Sequence, residues 1–415
     1  MIVRKIREEE YRRTEELFHI AFEFQSEFLN EPADEMLQRM IHSPKNRFER
    51  YFRERWAAFE DDDKTMMGYI IGTPYDVEFD GNRVKMSGVG GVASLAQYRR
   101  HGVIRGCFHQ YLKEIYEEGF LFSALFPFST AYYRQFGYEI GGDIVSYNIG
   151  IPDLPKYPAG GSVHLVEKGA YLDEIKKVYA DFRRGINLMT DREDFDYDWV
   201  LNANPVKDGR YIYLYRNEAG EPKGVMAFFK EPFADASGPR GCFHMNCSHF
   251  FFTDKEGFQG LMNLCHSFSS YYQYVSFRLP SAIRVEYYIP EWTHKARIIR
   301  SLEGNGMVRA VNVKRVLELA KYKGDGELII RVRDHILTEN NKTYRTVFRD
   351  GRAESVTECS GKPDADLDIQ DFSRMILGVL DPQEFLFFDK AKLFASLDKI
   401  GKVFYKKPIY IAEQF

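Results

Sequence analysis

The stretch from Val92 to Arg105, Val-Ala-Ser-Leu-Ala-Gln-Tyr-Arg-Arg-His-Gly-Val-Ile-Arg, constrains this chain more than any other. Val92 to Leu95 predict the end of a strand, and Gln97 to Gly102 a turn made basic by Arg99, Arg100 and His101. From Val103 apolar residues recur at helical spacing through Cys107, Phe108, Leu112, Ile115 and Tyr116. A helix start leaves its first N–H groups without partners and carries partial positive charge. With two arginines before it, such an end suits a pyrophosphate. Gly102 can accept the positive φ that brings backbone close to one. The same turn standing alone would serve equally well as a solvated basic corner.

A second segment narrows the choice. Phe128-Ser129-Thr130-Ala131-Tyr132-Tyr133-Arg134-Gln135-Phe136-Gly137-Tyr138 follows the helix. Together the two segments resemble the GNAT acetyltransferases, in which R/Q-x-x-G-x-G/A cradles the pyrophosphate of acetyl-CoA and a later tyrosine lies near the sulfur. Ile104 departs from that pattern, where a small residue is usual. The resemblance narrows to the Eis (enhanced intracellular survival) group, with R-R-x-G-[LV]-[LI]-R and Y-x-R-F-G-Y. Arg99 to Arg105 match the first motif, and Tyr133 to Tyr138 match the second except at Gln135.

The resemblance implies an α+β chain: tandem GNAT-like domains of mixed sheets flanked by helices, then a sterol-carrier-protein-like α+β domain. Boundaries are expected at 1–150 for the catalytic domain, 151–290 for a degenerate second one, and 291–415 for the third. Periodicity independently gives a strand at Ile2–Ile6, helical segments over Glu8–Phe28 and between Pro32 and Pro44, and strands at Arg55–Phe59, Met66–Gly72 and Leu121–Pro127. Pro152, Pro155, Pro158, Gly160 and Gly161 mark a boundary. Beyond it the order of elements loosely repeats, but Thr253 to Gly257 open a helix with acidic residues and no basic cradle. Gly306 to Val313 are read as the start of the third domain. In the resembling family that domain is mainly structural, and lipid binding is the alternative.

At 415 residues the chain exceeds one ordinary core. A net charge of −4 argues against a general nucleic-acid partner. No apolar run approaches the ~18 residues of a membrane span, so no membrane partner is expected and the cytoplasm is the expected location. Cys242, His244, Cys247 and His249 invite a metal reading, but C-x-H-x-x-C-x-H fits strand alternation poorly. Scattered cysteines read better as core thiols, and no metal is expected.

The resemblance, joined to the chemistry, assigns roles. Acetyl-CoA is the expected cosubstrate, held by Val92, Ser94, Arg99, Arg100, Gly102 and Val103. Acetyl transfer to a primary amine needs a base for the ammonium proton and a donor for the departing thiolate. Tyr133 is the candidate donor, with Tyr132 and Tyr138 as alternatives. The candidate base is the α-carboxylate of Phe415, the position at which the Eis group ends in phenylalanine; Glu413 is its rival. Cys107 lies past the loop and is not assigned as a nucleophile. Glu23, Glu27 and Phe28 are candidate pocket residues for the acceptor, expected to be a small-molecule amine such as an aminoglycoside, a polyamine or a lysine-like group. The resemblance also implies a homo-oligomer, with a hexamer as a common form. The rival readings are an enzyme using another acyl-CoA and a non-catalytic protein holding an acyl-CoA or an apolar ligand.

Overall fold

The computed structural model describes residues 1–25, 31–44, 46–232, 243–290, 298–387 and 392–415. The chain divides into two compact units: Met1–Gly142 with Gly185–Asp191 and Asn305–Phe415, and Asp143–Arg184 with Arg192–Gly304. The packing therefore cuts the chain differently from the three segments drawn from sequence.

In the first unit, β1 (Ile2–Lys5), β2 (Arg55–Phe59), β3 (Met66–Phe79), β4 (Asn82–Ser94), β5 (Phe122–Leu125) and β6 (Glu139–Ile140) share one sheet. The strand Met307–Ala310 inserts between β5 and β6, antiparallel to both. It was expected to open the third domain. Instead its fully buried Met307, Val308 and Ala310 complete the first sheet, so the chain after residue 305 folds onto the unit that began it.

Helices that accompany this sheet include α1 (Tyr11–Phe22), α2 (Ala33–His42), α3 (Arg47–Arg50), α4 (Val103–Glu117) and α5 (Thr130–Arg134). The apolar stripe of α4, with Val103, Cys107, Phe108, Tyr111, Leu112 and Ile115 all buried, makes one core with Ile70, Val89, Leu125 and Tyr133. Leu17 of α1 and Met36 and Met40 of α2 cover Ala57, Tyr69 and Ala93. A third core joins Val77, Met86 and Phe122 of the sheet to Leu328, Phe372, Met375, Ile409 and Ile411 of the C-terminal segment. That segment has its own four-stranded sheet, built from Gly326–Arg333, Lys342–Arg349, Arg352–Glu358 and Ala365–Asp368.

The separation of β4 from β5 prepares the site. Their parallel ladder runs from Met86↔Phe122 to Val89↔Leu125 and stops there. On its other side β4 stays paired with β3 through Ser94. Gly91 has φ +53, and the β3–β4 register shifts between Tyr69 and Ile71 beside it, which marks a bulge. Gly90 and Gly91 lie inside one long strand that kinks there. Gly90 to Ser94 thus present an unpaired backbone edge on the side facing β5.

The second unit is built on a seven-stranded sheet containing Asp143–Gly150, Tyr272–Pro280, Phe243–Phe252, Pro222–Pro232 and Arg210–Arg216. Its helix Lys255–Ser267 follows the Phe243–Phe252 strand as α4 follows β4. Among the described residues, no helix is long and apolar enough to cross a membrane.

Candidate active site

Helix α4 begins at Gly102, which has φ +80 and gives no side-chain cap. The N–H groups of Val103, Ile104 and Arg105 find no acceptor among the described residues. Arg100 also sits at positive φ, +66, a conformation a non-glycine residue adopts only when the loop fixes it. Arg99 and Arg100 are exposed and, like Arg105, enter no ion pair among the described residues. Three guanidiniums without a carboxylate partner, Arg105 donating to the Gln135 side chain at 3.3 Å, stand beside orphan N–H donors, an arrangement that suits an anion.

This loop lines a cavity of about 720 Å³. Val92, Ser94, Arg99, Arg100, Gly102, Val103, Tyr133 and Phe415 all line it, so residues from four places in the sequence meet there. Glu23 does not line it; it is exposed at the end of α1 with φ +58, while its neighbours Ala21 and Phe22 do line the cavity. Glu27 and Phe28 lie outside the described residues. Glu413 is not among the lining residues.

Tyr133 is placed by aromatic packing. Its ring lies 6.1 Å from Phe108, 5.3 Å from Phe128 and 5.2 Å from Tyr132. Ser129 starts α5 by accepting the Tyr132 N–H at 3.3 Å, and Phe136 stacks on Phe108 at 4.1 Å. Burial holds the Tyr133 phenol protonated well past neutral pH. Its hydroxyl makes no hydrogen bond among the described residues. Tyr138 differs: it is fully buried and its hydroxyl is 2.6 Å from Ser123 Oγ, which is in turn 2.8 Å from the Tyr111 hydroxyl. That closed chain does not line the cavity, whereas half-buried Tyr132 does.

The tail reaches the site through a series of anchors. Lys407 Nζ meets Asp80 at 2.7 Å, both nearly inaccessible. Asn187 accepts from Tyr410 N–H at 3.0 Å and donates to Pro408 O at 2.8 Å. Asn305, with its amide turned to satisfy both groups, accepts from Ile411 N–H at 2.8 Å and donates to its carbonyl at 3.2 Å. Ile409 and Ile411 are buried. The Phe415 ring then sits 5.5 Å from Tyr75 and 5.4 Å from Phe126. A Cβ built on Gly88 would lie 2.6 Å from that ring, and one on Gly90 would lie 2.8 Å from the Phe415 carboxyl carbon. The backbone carboxyl of Phe415 therefore lies over Gly90 on one face of β4, and both residues line the cavity that Tyr133 lines.

Sequence reasoning missed Gly88, Gly90, Phe126, Tyr75 and Arg309. Two glycines within one strand were the available signal for close backbone approach. Arg309 carried none. From the inserted strand it donates to Phe136 O just past α5 and pairs with Asp334, both side chains fully buried.

The second unit's equivalent helix start is closed. Asp254 caps it by accepting the Gly257 N–H at 2.9 Å, and Lys223 pairs with Asp254 at 3.2 Å. A carboxylate stands where α4 offers free donors, and it opposes an anionic ligand. Among the described residues no group of three or more His, Cys, Asp or Glu could hold a metal ion. Cys242 lies outside the described residues.

Residues 2–141 match the acetyltransferase (GNAT) domain family, 188–310 match a second such family, and 313–411 match the sterol carrier protein domain family. The chain is a GNAT-type acetyltransferase whose C-terminal part is a sterol carrier protein domain. Within that class its fold is Eis-like. It is similar to Eis1 from Mycobacterium abscessus at a TM-score of 0.77 and 14% identity, covering 100% of both chains. A GCN5-related N-acetyltransferase from Anabaena variabilis matches at 0.81 and 19%, also over 100% of both. A conserved protein of unknown function from Enterococcus faecalis, described as a probable N-acyltransferase, matches at 0.81 and 21%, over 100% of this chain and 99% of the other. No curated protein matches the sequence.

Proposed function

We propose that the first unit transfers an acetyl group from acetyl-CoA to a small-molecule primary amine, with Tyr133 as the acid and the Phe415 α-carboxylate as the base. The observation that carries this reading is the meeting of the Phe415 carboxyl, Tyr133 and the Arg99–Arg105 loop in one cavity.

GNAT acetyltransferases use acetyl-CoA as cosubstrate, and the residues present fit it. Arg99, Arg100 and the N–H groups opening α4 would hold the pyrophosphate by charge and hydrogen bonds. The unpaired β4 edge from Gly90 to Ser94 offers backbone groups to the amide-bearing pantetheine arm. When bound, the cosubstrate supplies an activated thioester carbonyl and a thiolate leaving group.

The chain's own residues then manage two protons. A primary ammonium has no lone pair, so it must lose a proton before it can attack. A chain ending at Phe415 presents a carboxylate over Gly90 of β4, where it can take that proton. The Tyr133 phenol, kept neutral by burial, can give its proton to the departing thiolate. The Phe415 carboxylate and the buried phenol thus divide base and acid work between two elements. The test is a protein extended by a few residues beyond Phe415, compared with the same protein cleaved back to Phe415. Extension turns the carboxylate into a neutral amide. Thiol release should fall about 100-fold or more and return on cleavage; equal rates at saturating acetyl-CoA and amine would place the base elsewhere.

A further inference from the structure

Helix α5 carries Tyr133 but has only five residues, too few to keep a helical shape without tertiary partners. Its far end leaves carbonyls that need donors. Three consecutive carbonyls there are met by side chains from beyond residue 305. Gln370 Nε2 donates to Arg134 O at 3.0 Å, His335 Nε2 donates to Gln135 O at 2.7 Å, and the Arg309 guanidinium donates to Phe136 O. The three donors come from three elements: the inserted strand Met307–Ala310, the loop after the strand Gly326–Arg333, and the helix Ile369–Ile376. Each is itself held. Arg309 pairs with Asp334, the residue before His335, and Asp334 accepts the N–H groups of Ile336 and Leu337 at 3.0 and 3.1 Å. Ser373, on the same helix as Gln370, accepts the Ala310 N–H at 2.8 Å.

Resting on Tyr133 as the acid, we propose that Arg309, His335 and Gln370 are positioning residues for acetyl transfer: they grip α5 by its last carbonyls and set where the Tyr133 hydroxyl stands. None of the three lines the cavity, so they act through α5. A phenol that protonates a thiolate must stand within hydrogen-bond reach of the sulfur. The rings of Phe108, Phe128 and Tyr132 hold the Tyr133 ring by apolar contact, which is non-directional and tolerates sliding. Hydrogen bonds to three successive carbonyls are directional, and together they fix how far α5 advances and how it is turned. The C-terminal part of the chain thereby serves both proton transfers. It ends in the Phe415 carboxylate and it holds the helix that carries the phenol.

The experiment combines His335→Phe with Gln370→Leu. His335 is exposed and Gln370 half-buried, so folding tolerates both changes and the buried Arg309–Asp334 pair stays intact. Thiol release is measured at saturating acetyl-CoA with the fastest of 2-phenylethylamine, spermidine and kanamycin, well below each protein's melting temperature. Misplacing a reacting group by ~1 Å costs up to about 100-fold, so kcat of the double variant should fall about tenfold. KM for acetyl-CoA and coenzyme A affinity should hold. The same two substitutions are then made in Tyr133→Phe, whose residual rate no longer depends on a hydroxyl at that place. There they should change kcat by less than about twofold, since the two effects share one group and do not add. Equal losses in both backgrounds overturn this inference, as does a double variant with the parent's kcat beside a slowed Tyr133→Phe. Both of those results leave Tyr133 as the acid. Tyr133→Phe with the parent's kcat overturns the acid assignment and this inference with it. No thiol release with any of the three amines, in protein that binds coenzyme A, overturns the acetyl-transfer reading and this inference with it.

Discussion

Replacing Gly90 with alanine isolates the Phe415 carboxyl from the rest of the tail. A Cβ at Gly90 would stand 2.8 Å from the Phe415 carboxyl carbon and 3.3 Å from its oxygen, and it meets no other residue closer than 4.0 Å. Ordinary contact begins near 3.4 Å. The carboxyl must therefore retreat by about 0.6 Å or more, while Lys407, Ile409, Ile411 and the Phe415 ring keep their anchors. Misplacing a reacting group by ~1 Å costs up to about 100-fold in rate, so kcat should fall on the order of 10- to 100-fold. Stability should not fall with it. Gly90 does not occupy positive φ, so the about 0.4–1 kcal/mol that alanine gains through the unfolded chain offsets the forced shift of this one terminal group. The assay pairs steady-state thiol release with thermal melting and coenzyme A binding. Gly88→Ala is the contrast. Its Cβ meets the Phe415 ring at 2.6 Å and the Tyr75 ring at 2.9 Å, so it should disturb the docked tail itself and lower both melting temperature and rate. A Gly90→Ala protein with the parent's kcat and unchanged coenzyme A affinity would refute the assignment of the carboxyl to catalysis.

Replacing Arg99 and Arg100 together with alanine removes two charge-assisted contacts of roughly 1.5–3 kcal/mol each, so calorimetry should show coenzyme A affinity lowered about 100-fold or more; unchanged affinity would reject the loop as the pyrophosphate site. Tyr133→Phe should retain coenzyme A binding and lose about 10²–10⁴-fold in kcat, and the same loss in Tyr132→Phe instead would move the role by one residue. The Glu139 carboxyl beside α5 titrates below its ordinary 4.5: burial pushes it up, but the Arg134 hydrogen bonds and the Ile140 N–H outweigh this. Its contribution is therefore fully present above pH ~4.5 and lost as pH falls through its lower folded value, so acid melting curves of the parent and Glu139→Gln should converge at low pH; curves that stay parallel down to pH 2 would refute the coupling.

Much of the candidate site was legible in the sequence because its signals are local. A turn that must carry positive φ and a helix that must begin announce themselves within a few residues, and Arg99 to Val103 stand where that reading put them. Tyr133 was legible for the same reason: Ser129 caps its short helix, and the rings around it are mostly near neighbours in sequence. What the sequence could not supply was distance across the fold. The acidic residues after α1 looked like an acceptor face by composition, yet Glu23 turns away at a left-handed helix end while Phe22 faces the cavity. Met307–Ala310 carries the alternation of a strand but no sign of which sheet it joins, because strand pairing is decided by available edges and by burial. Arg309 brings its guanidinium to Phe136 O only because that strand fills the gap between β5 and β6.

The sequence by itself determined the elements, the basic loop and the aromatic helix, since backbone preference and periodicity act over a few residues. Only the tertiary structure decided that residues 88, 90, 133 and 415 share one cavity, that the loop's arginines go unpaired, and that no described carboxylate side chain faces them. Charge balance and close approach are properties of neighbours in space, and the chain brings those neighbours together only by packing its last residues against its first sheet.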